Sequence, residues 1–333
     1  INGAVDMSSS LTVAGNVSVD GGTIKLDGNY PTGTANVALG NTTLDSLSGG
    51  GYNVGIGTQA LTANTSGDAN VGVGYGALDA NTTASYNVGI GYDALGVNTT
   101  GAANVAVGGQ ALDANTTGEK NTAMGRSSMG KNTTGVRNTS VGNQSFHENT
   151  TGNYNVAMGH QTLYQNTTAD YNTGVGYAAL GNNTTGTQNT AFGSQSLDAN
   201  TTADNNTAVG HGALTTNTTG VENVAVGSVA LDANTTGSYN NAFGKDALGA
   251  NTTGAYNTAV GRMALLTNTT GSSNVSLGSN SLRFSTTASN NTAAGYDSLR
   301  ANTTGTSNVG VGTNSLTANT TADNNTAVGK DAL

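Results

Sequence analysis

Three histidines, a column of aspartates, repeated Asn-Thr-Thr tripeptides, Gly-x-Gly pieces and a set of tyrosines are the residues of this 333-residue chain with chemistry to offer. His160 and His211 lie 51 residues apart, three periods of the 17-residue repeat that organises the chain. If each period is one turn of a stacked coil, that separation is roughly 14 Å at the usual strand spacing. A metal needs ligands converging at about 2 Å, and a catalytic base needs an oriented partner. The two are read, with His147, as solvent-facing loop residues. Asp45, Asp79, Asp113, Asp198 and Asp232 share one repeat position, where carboxylates could take Ca²⁺. Thr62, Gly96 and Gly130 interrupt that column, and the Gly-Gly-x-Gly-x-Asp pattern of calcium β-rolls is missing. Solvated charges that discourage sideways sheet pairing fit better. Gly72-Val73-Gly74 resembles a piece of a nucleotide loop, but such pieces recur every turn with no helix after them. Neither a catalytic, nor a cofactor-binding, nor a metal-binding residue is assigned, and the chain is not expected to be an enzyme.

Two surface columns remain. Tyr86, Tyr154 and Tyr239, with Tyr52, Tyr171 and Tyr256, sit just before a recurring Asn, where other copies carry Lys120, Arg137, Gln188 or Glu222. So variable a position is expected to be exposed, and an exposed Tyr can stack on a sugar or contact a partner; the plainer role is to cover the neighbouring turn. Asn-Thr-Thr makes N-glycosylation sequons at Asn81 and Asn98 among many. A sequon on every turn is read instead as a structural ladder. Adjacent threonines such as Thr99-Thr100 would point to opposite faces of a strand, which weakens an ice-binding array.

The elements that must position these residues come from the repeat. Asn36, Asn53, Asn70, Asn87 and Asn104 begin a series that runs unbroken to Asn325, eighteen copies without insertion or deletion. Counting that Asn as position 0, position 1 is β-branched except at Asn241, and position 2 is Gly, Ala or Ser. Position 3 is large and apolar (Ile56, Val73, Val107) except at Ala294, and position 4 is always Gly (Gly57, Gly74, Gly108). Position 7 is small, and position 8 is Leu, Met or Phe (Leu61, Leu78, Leu112). A second Asn column at position 11 (Asn64, Asn81, Asn98) is broken only by Ser285 between Asn64 and Asn319.

One inserted residue would misalign every later turn of a stacked coil, so uniform length argues for a parallel β-solenoid, or β-roll, of 17-residue coils. Positions 1 and 3 share a strand face. Positions 1, 3 and 8 are expected to supply three apolar columns to the core, Gly at position 4 a sharp bend, and both Asn columns stacked ladders. Position 2 points the other way and must be tiny, which suggests a tight contact with another strand or another chain and marks Ala106, Ala123 and Ala208 as candidates for an interchain contact. Eighteen coils would form a rod of roughly 85 Å. Its thin core favours oligomerisation as extra burial.

Residues 1–35 differ: Leu11, Val13, Val17, Val19, Ile24 and Leu26 alternate with small or polar residues, as in a strand-rich lead-in or cap before the solenoid of 36–333. The start at Ile1 without Met, and the stop at Leu333 midway through a copy, read as a fragment or processed product whose coils continue.

Only 9% of residues are charged and the net charge is −9, a poor match to phosphate, whose binding rests on clustered Lys and Arg. No run of 18 apolar residues offers a membrane-spanning helix. Cys is absent, so disulfides and thiolate metal sites are excluded.

Asn104-Val105-Ala106-Val107-Gly108 with Ala111-Leu112 resembles the head repeat of trimeric autotransporter adhesins. The match covers about nine of every 17 residues, and the repeat here is longer by the Asn-Thr-Thr-Gly segment. That resemblance implies a left-handed β-roll in a homotrimer. The whole chain also resembles bacteriophage tail fibres, with Ser10 to Gly22 similar to their strand-rich lead-ins. This implies an extracellular fibre shaft on a virion, supporting attachment to a host receptor or glycan, bound by this segment or by a region outside it. The other readings are a bacterial surface adhesin head binding matrix or cells, and an ice-binding or other repetitive-surface solenoid. Self-association, including end-to-end filaments, is the expected partnership, with no nucleic acid, membrane insertion or cofactor.

Overall fold

The structure, a computed structural model, describes residues 33–333; the strands expected within 1–32 lie outside them. Among the described residues there are eighteen three-residue strands, from β1 (Val37–Leu39) and β2 (Val54–Ile56) through β5 (Val105–Val107) to β18 (Thr326–Val328), and no helix. Each strand pairs in parallel with the next at an offset of 17 residues, as Val37 with Val54 and Ala106 with Ala123. The chain is thus an all-β parallel solenoid of 17-residue coils in one continuous sheet.

Strand makes up only three residues of each coil, yet the ladder continues around the rest. Leu61 N–H donates to Ala77 C=O (3.0 Å), Ala63 to Asp79 (2.9 Å) and Thr65 to Thr82 (2.8 Å), each on the following coil. Gly74 N–H donates back to Ile56 C=O (2.8 Å) and Tyr86 to Asp68 (3.0 Å). The coil backbone therefore finds its partners in neighbouring coils rather than in local turns alone.

Bending so short a circuit takes four positive φ angles per coil. Gly at position 4 supplies one, with φ +134° at Gly108. A Cβ there would lie 2.6 Å from the carbonyl of Gly125, so Gly is required both by conformation and by stacking. The other three fall on ordinary residues at positions 6, 8 and 16, such as Gln59, Leu61 and Ala69 (φ 61°, 55° and 53°). Each costs about 1 kcal/mol in isolation, offset here by the inter-coil ladder and by burial.

The interior holds positions 0, 2, 7, 8, 11 and 14. The Leu column at position 8 is fully buried, including Leu61, Leu78 and Leu112, with Met129 and Phe146 in the same slot. Position 2 also faces inward: Ala106, Ala123 and Ala208 are fully buried within their own chain. Of the two contacts expected for them, the one with another chain is corrected: the tight contact is made within the chain. They are small because Leu at position 8 of the preceding coil lies over them; a Cβ on Gly72 would meet Leu61 Cγ at 3.2 Å. Ser at these positions forms pairs instead of leaving unpaired hydroxyls, as in Ser128 Oγ–H to Ser140 Oγ at 2.7 Å.

The second correction follows from the first. Ile56, Val73 and Val107 are not in the core, nor are the position-1 residues that share their face. Position 3 lies on the opposite side of the strand from position 2, and its side chains project outward: Ile56 is 39% exposed and Phe192 57%. The core therefore contains one large apolar column, two columns of small residues, the Gly or Ala of position 14, and two columns of asparagine.

Candidate functional site

The two asparagine ladders differ in construction. At position 0 the side-chain oxygen accepts from the backbone of the next coil (Asn53 N–H to Asn36 Oδ1, 2.8 Å; Asn70 N–H to Asn53 Oδ1, 2.9 Å), and the series continues through Asn87 and Asn104. At position 11 side chain bonds side chain: Asn81 Nδ2 donates to Asn64 Oδ1 (3.0 Å), Asn98 to Asn81 (3.1 Å) and Asn115 to Asn98 (2.8 Å). Both converge on the position-14 carbonyl, where Ala84 C=O accepts from Asn70 Nδ2 (2.9 Å) and Asn81 Nδ2 (3.0 Å). The sequon nitrogens of Asn81 and Asn98 are buried and engaged, so in the folded coil they are closed to glycan transfer. Ser285 breaks the position-11 ladder, and Asn268 Oδ1 and Ser285 Oγ are left buried without a partner.

The threonines that follow lie at a corner rather than on a strand. Thr99 is half-buried, with its hydroxyl donating to Thr116 C=O (3.0 Å), while Thr100 is exposed. One hydroxyl of each pair is thus tied to the next coil.

Three outward surfaces remain. The first is the strand face of positions 1 and 3. It is uninterrupted from β1 to β18 and has no charged residue at either position of any strand. Sequence reasoning missed it by placing position 3 inside. The signal was available: position 3 ranges from Ala294 to Phe243, while position 8 is nearly always Leu. Tolerance of size suits a face packed less tightly than a core.

The second is the tyrosine column of position 16. Tyr86 is 68% exposed, as expected of a surface residue. Tyr154 stacks on Tyr171 (centroids 5.1 Å) and Tyr239 on Tyr256 (4.9 Å), with the Arg137 guanidinium 5.4 Å from the Tyr154 centroid. These rings cover one another, in keeping with the plainer role.

The third is the edge formed by positions 5, 6, 9 and 10, which holds the position-9 aspartates and all three histidines. His147 stacks on Tyr164 (5.5 Å), and His160 on Tyr177 (5.8 Å). Glu148 takes hydrogen bonds from Lys131 Nζ (2.5 Å) and shares a 2.9 Å contact with His147 Nδ1. Burial pushes its carboxyl up, but those two partners outweigh it and hold it below the usual range. Asp113, Asp198 and Asp232 are shifted the other way, chiefly because burial disfavours their charge. Among the described residues no group of three or more His, Asp or Glu is arranged to hold a metal, and no helix is long and apolar enough to cross a membrane.

Two hollows open on this edge where Gly replaces the position-9 side chain. One, of about 260 Å³, lies at Gly96 and is lined by Asp79, Asp93 and Asp113. The other, of about 330 Å³, lies at Gly181 between Tyr164 and Asp198.

No protein-family model matches this chain, and no curated protein is significantly similar to it.

Proposed function

We propose that the chain is a non-enzymatic shaft: a left-handed β-roll that joins two further copies side by side, as the stalk of an extracellular fibre of the bacteriophage tail kind supporting attachment to a host. The observation that carries this reading is the outward strand face. Eighteen strands, at about 4.8 Å spacing and about 3.3 Å per residue, present roughly 850 Å² per chain. Stable complexes bury about 800 Å² per partner, comparable with this uncharged face, whose position 3 is apolar in every strand and whose position 1 is Val, Thr or Asn. The face carries no charged residue at positions 1 and 3. Two further copies supply the same charge-free face, so the association needs no other kind of partner. A coil repeated without variation in length is also suited to holding a fixed distance.

The test is the solution mass, by light scattering coupled to size exclusion, of the chain and of an Ile90→Lys, Val107→Lys double variant. Three chains for the parent and one for the variant, with unchanged circular dichroism, is the expected result. A parent that runs as a single chain overturns the reading.

A further inference from the structure

The hollow at Gly181 differs from its counterpart at Gly96 in what surrounds it. Along position 9 the succession is His147, Tyr164, Gly181, Asp198. His147 covers one face of the Tyr164 ring, at an interplanar angle of 10°. Beyond the other face stands Gly181, with no side chain, and then Asp198. Tyr164 and Asp198 are therefore two coils apart, about 9.6 Å, and the slot between them has a glycine floor. A flat six-membered ring needs about 3.5–4 Å above the Tyr164 ring, and at the level of Gly181 it would share the slot with the Asp198 carboxylate, whose Oδ1 stands 2.6 Å from where a Cβ on Gly181 would lie.

A second aromatic stack opens the same way. His160 backs Tyr177 at an interplanar angle of 3°, and the next residue in that column is Ser194, which leaves the far face of Tyr177 uncovered. Gln161 and Gln195 line the slot with primary amides, which both donate and accept. Asn182 Nδ2 reaches Asp198 Oδ1 only at 3.4 Å, leaving the carboxylate with acceptor capacity. No Lys or Arg lines the hollow.

We propose that this slot binds a neutral pyranose, as a free sugar or a residue of a glycan. Its apolar C–H face lies on Tyr164, its hydroxyls donate to the Asp198 carboxylate, and Gln161 and Gln195 complete the hydroxyl pairing. Each part answers one feature of a sugar: a stacking platform for the ring, a carboxylate for vicinal hydroxyls, amides that pair with donors and acceptors alike. The lone negative charge, with no cation beside it, selects against sialic and uronic acids. The slot lies away from positions 1 and 3, so the inference does not rest on self-association.

Saturation-transfer NMR on the full chain tests it, with glucose, galactose, mannose, N-acetylglucosamine and N-acetylgalactosamine as probes and N-acetylneuraminic acid as the acidic comparison. At least one neutral sugar is expected to receive saturation on its ring protons. Gly181→Leu fills the slot, and Tyr164→Ala removes the platform; each is expected to weaken binding by about tenfold. Leu is native to this position at Leu266, and Gly181 is not at positive φ. The Cβ contact it makes, 2.6 Å to Asp198 Oδ1, is with the end of a rotatable side chain. Gly96→Leu, the same change in the acidic hollow, is expected to leave binding unaltered. The proposal falls if no neutral sugar receives saturation, if Gly181→Leu leaves binding undiminished, if Gly96→Leu weakens it equally, or if N-acetylneuraminic acid binds as well as the neutral sugars.

Discussion

The inner and outer faces of the same three-residue strand obey different rules. Inward, at position 2, only Gly, Ala or Ser occurs, because Leu of the preceding coil occupies the space above. Outward, at positions 1 and 3, Val, Thr, Ile, Met, Phe, Leu, Ala and Asn all occur. Volume is limited where the coil closes on itself and free where it meets something else. Large apolar side chains thus mark the outside of this strand, because hydrophobic residues are found inside often but not by necessity.

The sharpest way to break that comparison is to truncate one residue of each kind. Leu112 is fully buried, whereas Val107 projects from β5. Leu112→Ala removes a packed side chain from a column that cannot collapse without disturbing the coils on both sides, and is expected to cost about 3–4 kcal/mol. Val107→Ala is expected to change the stability of the single chain by less than about 0.5 kcal/mol. Urea denaturation at a concentration where chains are separate measures both. Equal losses would mean that the outer face also packs within the chain.

That inversion shows what the residues made legible and what they did not. The period, the Gly bend, both Asn columns and the Leu column were readable, because each is a chemical identity repeated without exception or nearly so. The strand's parity was readable too, since positions 1 and 3 must share a face. Which face looks inward was not, because alternation fixes a relation between neighbours and not a direction. The bends at positions 6, 8 and 16 were also hidden. Gln59, Leu61 and Tyr86 carry no mark of a left-handed backbone; stacking in register imposes it against their own preference. The sugar slot depends on a single absent side chain, Gly181, whose meaning appears only when Tyr164 and Asp198 are placed on either side of it.

The buried asparagines sharpen the comparison, because the inner surface also dictates polarity. Asn98 gives two hydrogen bonds and accepts one from Asn115, so its neighbours are satisfied. Ser285, in the same column, leaves the oxygen of Asn268 unpaired. Ser285→Asn is expected to restore the ladder and stabilise the chain by about 1–2 kcal/mol, while Asn98→Ser introduces the same break and costs about as much. Thermal denaturation of the two variants checks the symmetry. A Ser285→Asn chain no more stable than the parent would show that the ladder contributes register rather than stability.

The smallest expected effect lies at the boundary between the two surfaces, at Asp232. Burial raises its carboxyl above the ordinary value of 3.8, and the nearby charge of Asp246 acts in the same direction, against weaker opposing hydrogen bonds from the backbone. A carboxyl raised on folding lowers stability where it is ionised. The penalty is full above the folded pKa, shrinks as pH falls through it, and is gone below 3.8, where folded and unfolded chains are both protonated. Asp232→Asn should therefore raise the melting temperature slightly at pH 7 and leave it unchanged near pH 3. The same difference at both pH values would assign the effect to hydrogen bonding of the new amide. A loss at pH 7 would place Asp232 with the solvated outer columns, where its charge is not a burden.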